Sequence, residues 1–258
     1  MKIGFIGFGE ASSKICYGLS KEKTDSIFYA YDVATLHNDN VSVCNSIGDV
    51  IKNSESIFVA VPGTSDKNVF SEILKSNIED KLIIDICTTK PIIKESIEKE
   101  VINRKGKYVD VAVLGPVSKL LHKTPMLVSG SGSKDMKSKF SKYNMNISIK
   151  EGSAGMASTI KLCRSIFMKG LSALAIETIE ACEKYGVKDD VFNSIYENVE
   201  EHSFEVLLDT VVKGAYVHTK RQFDEICYCI ELENEISVIP NMSFSTKNIF
   251  ESLLKNKK

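Results

Sequence analysis

Two glycines near the N-terminus have the spacing with which a polypeptide backbone holds a pyrophosphate. Gly7 and Gly9 lie where the predicted strand Lys2–Phe8 meets a helical segment, in the order Gly-x-Gly-x-x-Ser. The first glycine permits a tight turn, and the second lets phosphate oxygens reach the amides at the helix N-terminus. Ser12 replaces the third glycine, and a small residue there still allows close helix–strand packing. The predicted cofactor contacts of this turn are Gly7, Phe8, Gly9, Glu10 and Ala11.

A carboxylate further along the chain strengthens this prediction. Asp32 ends the next predicted strand, Ile27–Tyr31, about 20 residues after Gly9, where an acid holds the ribose hydroxyls of adenosine. Asp32 favours NAD because the 2′-phosphate of NADP would meet a like charge, although neighbouring residues can accommodate that phosphate. NAD is therefore the expected cofactor, and NADP stays possible. The alternative is a glycine turn in a parallel sheet that binds no ligand, with Asp32 only ending a strand.

Two more predicted strands end with residues that fit the same cleft. Val61 and Pro62 follow the third strand, Ser56–Val61, and Thr88 follows the fourth, Leu82–Ile86. Ligands of open α/β sheets bind beyond the carboxyl ends of the strands. We therefore predict that Val61, Pro62 and Thr88 contact the cofactor, with Thr88 at the nicotinamide ribose or carboxamide. An ordinary turn before a helix is the alternative for Thr88.

The elements that would position these residues alternate between strands and helices up to about residue 150. Several strands are near-continuous apolar runs, such as Ile57–Val61, which is typical of strands covered on both faces. After Gly152 the strand patterns stop, and a long helix is predicted from about Ser153 to Tyr185. The predicted fold is therefore α/β: a Rossmann-type doubly wound sheet in a dinucleotide-binding domain, residues 1–150, joined by a long helix to an all-helical domain, residues 151–258.

The composition argues against several classes of protein. The formal net charge is −1, so no global field attracts nucleic acid or an anionic membrane. No apolar run approaches the roughly 18 residues of a membrane span, and no signal-peptide pattern precedes the first strand. The seven cysteines are scattered through apolar segments, as expected for reduced thiols in the cytoplasm, and no ligand spacing predicts a metal site.

Four motifs in collinear order resemble the β-hydroxyacid dehydrogenase superfamily, which includes 6-phosphogluconate and 3-hydroxyisobutyrate dehydrogenases. They are Gly4–Gly9, Asp85–Pro91, Asp110–Val117 and Gly152–Lys161, and the resemblance covers residues 1 to about 185. The sequence is most similar to a branch of 6-phosphogluconate dehydrogenase-like NAD-binding proteins. The resemblance implies a catalytic lysine on the long helix, here Lys161, an active site between the two domains, and a dimer.

The sequence departs from the well-studied members at the substrate pocket. Leu114-Gly115-Pro116 stands where they carry Ser-Gly-Gly, so the serine that helps to hold the substrate carboxylate is absent. Ser165 stands where they carry asparagine, four residues after Lys161. We expect Gly115, Pro116 and Ser165 to contact the substrate, but its identity does not carry over, and 6-phosphogluconate is disfavoured.

Helical spacing puts Lys161 and Arg164 on a mostly apolar stripe of the long helix. We therefore expect the helix to be buried over much of its surface, with two cations facing inward. Burial and the like charge of Arg164 would lower the pKa of Lys161 from its ordinary value of about 10.4. Lys161 could then take the substrate hydroxyl proton during hydride transfer. A lysine on a solvated helix face is the alternative, and the motif match favours the catalytic role.

Three cationic side chains are candidates for an anionic substrate group. The planar guanidinium of Arg164 suits a carboxylate or phosphate, although a structural ion pair would explain it nearly as well. His218 and Arg221 lie about one helical turn apart and could complete the pocket, from the same or a partner subunit, or could form a surface pair.

Together these features predict an NAD(P)-dependent dehydrogenase or reductase, acting on a small anionic 3-hydroxyacid or a related carbonyl compound, in a cytoplasmic homodimer. An imine reductase on the same scaffold and a non-catalytic dinucleotide-binding sensor stay open as alternatives. The presence of Lys161 favours catalysis, because a sensor would not need a cation on a buried helical face. Replacing Lys161 separates the two, since a sensor would lose nothing but stability.

Overall fold

Eight strands form one sheet in the computed structural model, which describes residues 1–22, 24–201 and 203–256. The strands are β1 (Lys2–Ile6), β2 (Ile27–Tyr31), β3 (Ser42–Val43), β4 (Ser56–Val59), β5 (Leu82–Asp85), β6 (Lys107–Val113), β7 (Met126–Ser129) and β8 (Ile147–Ile149). Their order across the sheet is β3-β2-β1-β4-β5-β6-β7-β8, and every neighbouring pair is parallel except β6 with β7. The short strands β3 and β8 were not predicted from the sequence.

Helices connect the strands and make up the C-terminal part of the chain. They are α1 (Glu10–Lys21), α2 (Ile47–Asn53), α3 (Asp66–Ile73), α4 (Pro91–Asn103), α5 (Val117–Leu120), α6 (Ser133–Phe140), α7 (Met156–Tyr185), α8 (Lys188–Glu201), α9 (Phe204–Val217), α10 (Thr219–Glu235) and α11 (Asn241–Lys255). The predicted α/β class, with a Rossmann-type sheet followed by a helical region, is confirmed. The sequence also predicts a helical segment around Asp190–His202, which corresponds to α8; His202 itself lies outside the described residues.

Apolar side chains pack on both faces of the sheet, as the continuous apolar strands predict. On one face, Phe5 of β1 and Phe58 of β4 stack with ring centroids 5.3 Å apart, and α1 and α6 contribute Leu19 and Phe140. On the other face, α2, α3 and α4 cover the alternate residues of the same strands. Because β1 lies between β2 and β4, the chain order reverses at β1, which is where open α/β sheets bind ligands.

The chain separates into two units of internal contacts, Met1–Arg164 and Ser165–Lys258. In the second unit α10 packs on α11, and Glu177 accepts hydrogen bonds from the amides of Met242, at 2.7 Å, and Ser243, at 2.9 Å. This carboxylate satisfies the first amides of α11, whose own N-cap residue makes no side-chain hydrogen bond. The domain limits of 1–150 and 151–258 stay a prediction.

The long helix α7 is more exposed than the sequence predicts. Its apolar side chains Ile166, Phe167 and Leu174 are 77%, 41% and 47% exposed. The expectation of a largely buried helix is therefore wrong for the single chain, since these apolar side chains are left exposed by the described residues. No described helix has the length and apolar character of a membrane span.

Candidate active site

The turn after β1 has the backbone geometry that the two glycines allow. Gly7 has a φ of +80°, and a Cβ there would collide with the backbone oxygen of Ala60. Among the described residues, no atom lies within 4 Å of a Cβ built on Gly9. The space beside Gly9 thus stays open at the start of α1, whose N-cap residue makes no side-chain hydrogen bond in this part of the chain. The first glycine is required by the turn, and the second leaves access to helix amides that can bind an anion.

The carboxylate of Asp32 is held in a fixed direction at the edge of this turn. One oxygen accepts a hydrogen bond from the Phe8 amide at 2.5 Å, and the other accepts one from the Ala34 amide at 3.0 Å. Two backbone donors use only part of the acceptor capacity of a carboxylate. Asp32 therefore keeps lone pairs for the hydroxyl donors of a ribose.

A cavity of about 270 Å³ opens beside the turn, at the carboxyl ends of β1, β2 and β4. Five of the predicted cofactor residues line it: Gly7, Gly9, Asp32, Val61 and Pro62. Open space at a helix N-terminus, next to an oriented carboxylate, fits the pyrophosphate and ribose of a dinucleotide.

The other predicted cofactor residues have different surroundings. The ring of Phe8 is buried against Phe5, with ring centroids 5.7 Å apart, so Phe8 offers the turn its backbone only. Glu10 is exposed in the first turn of α1, and Ala11 is half-buried beside it. Thr88 is exposed in the turn after β5 and contacts Lys161.

Lys161 and Thr88, far apart in the sequence, meet directly. Lys161 Nζ donates a hydrogen bond to Thr88 Oγ1 at 2.9 Å. Burial lowers the pKa of Lys161, the charge of Lys94 lowers it further, and Asp110, Cys87 and Asp85 oppose the shift. The direction agrees with the sequence expectation. The like charge that acts on Lys161 is Lys94, however, where the sequence pointed to Arg164.

Buried acceptors fix the start of α7 and with it the position of Lys161. Asp110 of β6 accepts hydrogen bonds from the amides of Gly155, at 3.0 Å, and Ser158, at 2.9 Å, and from Ser158 Oγ at 2.6 Å. Glu98 of α4 accepts one from the Ala154 amide at 2.8 Å. Sequence reasoning assigned no role to Asp110 or Glu98. The signal for Asp110 was a charged residue inside the apolar run of β6.

A second group of buried charges lies where β5 ends. Asp85 forms an ion pair with Lys94, Nζ to Oδ2 at 2.5 Å, and both side chains are fully buried. The Tyr108 hydroxyl donates to the same oxygen at 2.5 Å, and the Cys87 amide donates to the other at 2.9 Å. Ligand atoms of Asp66, Asp85 and Cys87 lie within 4.8 Å of one another. Because Lys94 supplies the positive charge, we interpret this group as an ion-pair network rather than a metal site.

Burial shifts the titration of this network. Burial and the charge of Asp85 raise the pKa of Asp66 to about 6, while Lys94 and Cys87 partly offset them. Burial also raises the pKa of the Cys87 thiol, so Cys87 is not a reactive thiolate. Burial alone would lower the pKa of Lys94, but Asp85 and Asp66 outweigh it and raise that pKa.

The predicted substrate residues are divided between the two units of the chain. Gly115 is half-buried after β6, where a Cβ would lie 2.9 Å from Thr124 Oγ1, and Pro116 is exposed at the N-terminus of α5. Arg164 is exposed and Ser165 is half-buried on α7. In the second unit, His218 and Arg221 are exposed, and Arg221 lies 3.7 Å from Glu225 on the same helix. The substrate roles of these residues stay predictions.

The sheet, the glycine turn and the cavity together define a Rossmann-type dinucleotide-binding protein. The chain belongs to the family of the NAD-binding domain of 6-phosphogluconate dehydrogenase, whose sequence model matches residues 2–174. The predicted family and the predicted nicotinamide cofactor are thereby confirmed. The family is one of NAD(P)-binding dehydrogenases and reductases. The chain therefore has the fold of an oxidoreductase family, with a domain that binds a small molecule, the dinucleotide.

Known proteins similar to this chain span its whole length. An "Uncharacterized 28.5 kDa protein in 7S RNA 5'region" of Methanothermus fervidus is 28% identical over 265 residues, which cover 98% of this chain and 99% of that protein. The conserved protein MTH1747, described as structurally similar to 3-hydroxyacid dehydrogenases, is 24% identical, with a TM-score of 0.63 over 100% of this chain and 98% of that one.

Solved reductases share the fold at lower sequence identity. An imine reductase from Myxococcus stipitatus in complex with NADP+ has a TM-score of 0.83 at 13% identity, over 99% of this chain and 95% of that one. A variant of that enzyme in complex with NAD+ has a TM-score of 0.82 at 13% identity, over 99% and 94% of the two chains.

Proposed function

We propose that this chain is an NAD(P)-dependent dehydrogenase or reductase that transfers a hydride between nicotinamide and a small anionic 3-hydroxyacid or a related carbonyl compound. The observation that carries the proposal is the hydrogen bond from Lys161 Nζ to Thr88 Oγ1 at 2.9 Å. This amine lies at a strand end of a dinucleotide-binding sheet, and burial lowers its pKa. A lysine tuned in this direction is suited to acid–base catalysis near neutral pH.

Lys161 performs the proton transfer of the proposed reaction. A bound nicotinamide would supply the acceptor or donor of the hydride. In the oxidative direction, the neutral amine of Lys161 takes the proton of the substrate hydroxyl; in reduction, its ammonium group returns the proton to the carbonyl oxygen. Thr88 Oγ1 accepts a hydrogen bond from Nζ and so directs the amine. Asp110 holds the helical turn that precedes Lys161 and keeps the amine in place.

We assign a preference for NAD over NADP to Asp32. Its carboxylate faces the glycine turn through the Phe8 amide and lines the cavity. A second negative group, such as a 2′-phosphate, would be repelled there, whereas a ribose hydroxyl would not.

The substrate pocket of the proposed enzyme includes Arg164, Ser165, Gly115, Pro116, His218 and Arg221. We assign the anionic group of the substrate to Arg164, because its guanidinium is exposed on the same helix as Lys161, three residues further on. Because its side chain is exposed, Arg164 can contact a ligand without any rearrangement of the protein core.

The proposed enzyme acts as a cytoplasmic homodimer. The apolar side chains of α9 support a dimer: none of its residues is buried in the single chain, and Val206, Val211 and Val212 are 48%, 52% and 47% exposed. A second copy would remove this apolar surface from water. Sedimentation of the wild type at micromolar concentration should give about twice the mass of 28.6 kDa, and Val211→Glu should shift it towards the single chain.

Imine reduction is the second candidate function. The shared fold with the imine reductase from Myxococcus stipitatus supports it. Cyclic imines with NADPH and 3-hydroxyacids with NAD+ should be assayed side by side, since the two candidates predict turnover with different substrate panels. A dinucleotide sensor would bind cofactor with the same affinity after Lys161→Met and turn over neither panel.

The deciding experiment titrates NAD(H) and NADP(H) against wild type, Asp32→Ala and the control Asp39→Ala in thermal-shift assays. A ligand at a hundred times its dissociation constant adds about 2.7 kcal/mol of stability. We expect stabilisation by NAD(H) that weakens in Asp32→Ala and persists in Asp39→Ala, whose carboxylate is exposed outside the cavity. Turnover that disappears in Lys161→Met would then support catalysis. Absence of any cofactor shift would contradict the proposal at its base.

A further inference from the structure

Lys94 is a fully buried lysine in the first turn of α4. Its side chain is 0% exposed, and Nζ lies 2.5 Å from Asp85 Oδ2. A lysine is almost never buried to this extent unless it is paired, because removing its charge from water is costly. The ion pair therefore explains how Lys94 is accommodated, but not why a lysine stands there.

Asp85 ties the two ends of the turn that carries Thr88. The turn leaves β5 at Asp85 and enters α4 at Pro91. One oxygen of Asp85 accepts the Cys87 amide near the start of this turn, and the other meets Lys94 beyond its end. Thr88 follows Cys87 directly, so its hydroxyl is presented from a segment held at both ends.

The same segment contacts the proposed acid–base group. Thr88 Oγ1 accepts the hydrogen bond from Lys161 Nζ. A short path of named contacts thus leads from Lys94 through Asp85, the Cys87 backbone and Thr88 to Lys161. Each link in this path is a hydrogen bond, an ion pair or a peptide bond.

We propose that Lys94 is a positioning residue for Lys161: paired with Asp85, it fixes the turn whose Thr88 hydroxyl holds the Lys161 amine. This inference rests on the proposed function of Lys161 as the acid–base group. It deepens that function by naming the residue that prepares Lys161 without touching the substrate.

The charges around Lys161 make the expected effect directional. Lys94, on α4, lowers the pKa of Lys161 after burial itself, whereas Asp110 on β6 and Cys87 and Asp85 at the end of β5 raise it. Removing the charge of Lys94 should therefore make Lys161 harder to deprotonate. A residue that served only to fill the core would leave the titration of Lys161 unchanged when replaced by a side chain of similar volume.

Replacing Lys94 alone would leave buried carboxylates without their cation, which can prevent folding. The main variant is therefore the double substitution Lys94→Met with Asp85→Asn. The asparagine oxygen can still accept the Cys87 amide, and the network loses one charge of each sign. Thr88→Val is the second variant; it lies outside the buried pair and removes only the acceptor of the Lys161 amine.

The readout is the pH dependence of amine acetylation by acetic anhydride, measured for Lys161 by mass spectrometry, with the exposed Lys119 of the same chain as the internal reference. The variant Lys161→Gln identifies the acetylated peptide that contains Lys161, because its signal is absent when the amine is removed. We expect the labelling midpoint of Lys161 to move to higher pH in the double variant, because Lys94 lowers the pKa of Lys161 more than Asp85 raises it. In Thr88→Val it should move to lower pH, because the hydrogen bond that favours the charged amine is lost while Lys94 remains.

The proposal would be overturned if the double variant is folded, as judged by circular dichroism, and the labelling midpoint of its Lys161 equals that of wild type. If the double variant does not fold, Thr88→Val decides, and a midpoint equal to that of wild type overturns the path through Thr88. The labelling needs no substrate, so its outcome is separate from the proposed function. A shifted midpoint together with turnover that survives Lys161→Met would refute the function and keep the role of Lys94.

Discussion

Asp66 is a buried carboxylate whose replacement should stabilise the protein in a pH-dependent way. Its side chain is 1% exposed at the first position of α3, and among the described residues no donor meets either of its oxygens with good hydrogen-bond geometry. Burial and the nearby charge of Asp85 raise the pKa of Asp66 from 3.8 to about 6. The substitution Asp66→Asn keeps the shape of this side chain and removes its charge.

The magnitude follows from the pKa difference between the folded and unfolded states. A rise of about 2 units corresponds to about 3 kcal/mol, at 1.36 kcal/mol for each unit. Because the folded pKa lies above the unfolded one, the stabilising contribution of Asp66 is complete below about pH 4. It is lost as the pH rises through about 6. The asparagine side chain of the variant does not titrate, so the free energy of unfolding of Asp66→Asn should gain about 2 kcal/mol relative to wild type between pH 4 and pH 7, the rest of the effect lying below pH 4.

The assay is urea unfolding of both proteins from pH 4 to pH 8, followed by circular dichroism because the chain has no tryptophan. Asp39→Asn is the matched control, since Asp39 is exposed and the same chemical change there should leave the difference from wild type nearly constant. A difference for Asp66→Asn that does not vary with pH would mean that Asp66 titrates alike in the folded and unfolded chains, against its raised pKa in the fold.

Three further substitutions test the geometry of the two units. Gly7→Ala should destabilise the protein by at least about 1–2 kcal/mol and abolish the thermal shift by NAD, because φ is +80° and a Cβ collides with Ala60; melting with and without NAD checks it. Asp110→Asn should cost about 1–3 kcal/mol, since the amides of Gly155 and Ser158 and the Ser158 hydroxyl share two carboxylate oxygens of which asparagine keeps one, and amide exchange at the start of α7 should accelerate. Glu177→Gln should weaken the cap of α11 by about 0.5–2 kcal/mol, seen as faster amide exchange confined to that helix.

The cofactor half of the candidate site could be predicted from the sequence because local patterns encode it. Gly7 and Gly9 follow directly from a strand, and Asp32 ends the next one, so their convergence needs only the rule that parallel strands end at the same edge. The structure places all three around one cavity. The sequence also predicts a lowered pKa for Lys161, because this residue lies on a mostly apolar stripe of its helix.

The buried charges around Lys161 could not be predicted in the same way. Lys94 shares one face of α4 with the buried Ile97 and Val101, but a lysine at such a position carries no local sign of the partner that would neutralise it. That partner is Asp85 of β5, and an ion pair between two elements is not visible in a helical period. The interpretation of Arg164 as the like charge next to Lys161 failed for this reason, because helical neighbours are visible in a sequence and partners from another element are not.

Register explains how two neighbouring strands aim Thr88 and Lys161 at each other. Asp85 of β5 and Asp110 of β6 are directly paired positions of adjacent parallel strands. Each carboxylate holds a different segment: Asp85 holds the turn of Thr88, and Asp110 holds the first turn of α7, which leads to Lys161. Because a sheet fixes the distance between paired positions to about 5 Å, the two segments are fixed relative to each other as well. A single buried carboxylate in an apolar strand would only add a cost of burying a charge. Because the two carboxylates are in register, together they hold the two segments that position the proposed acid–base group.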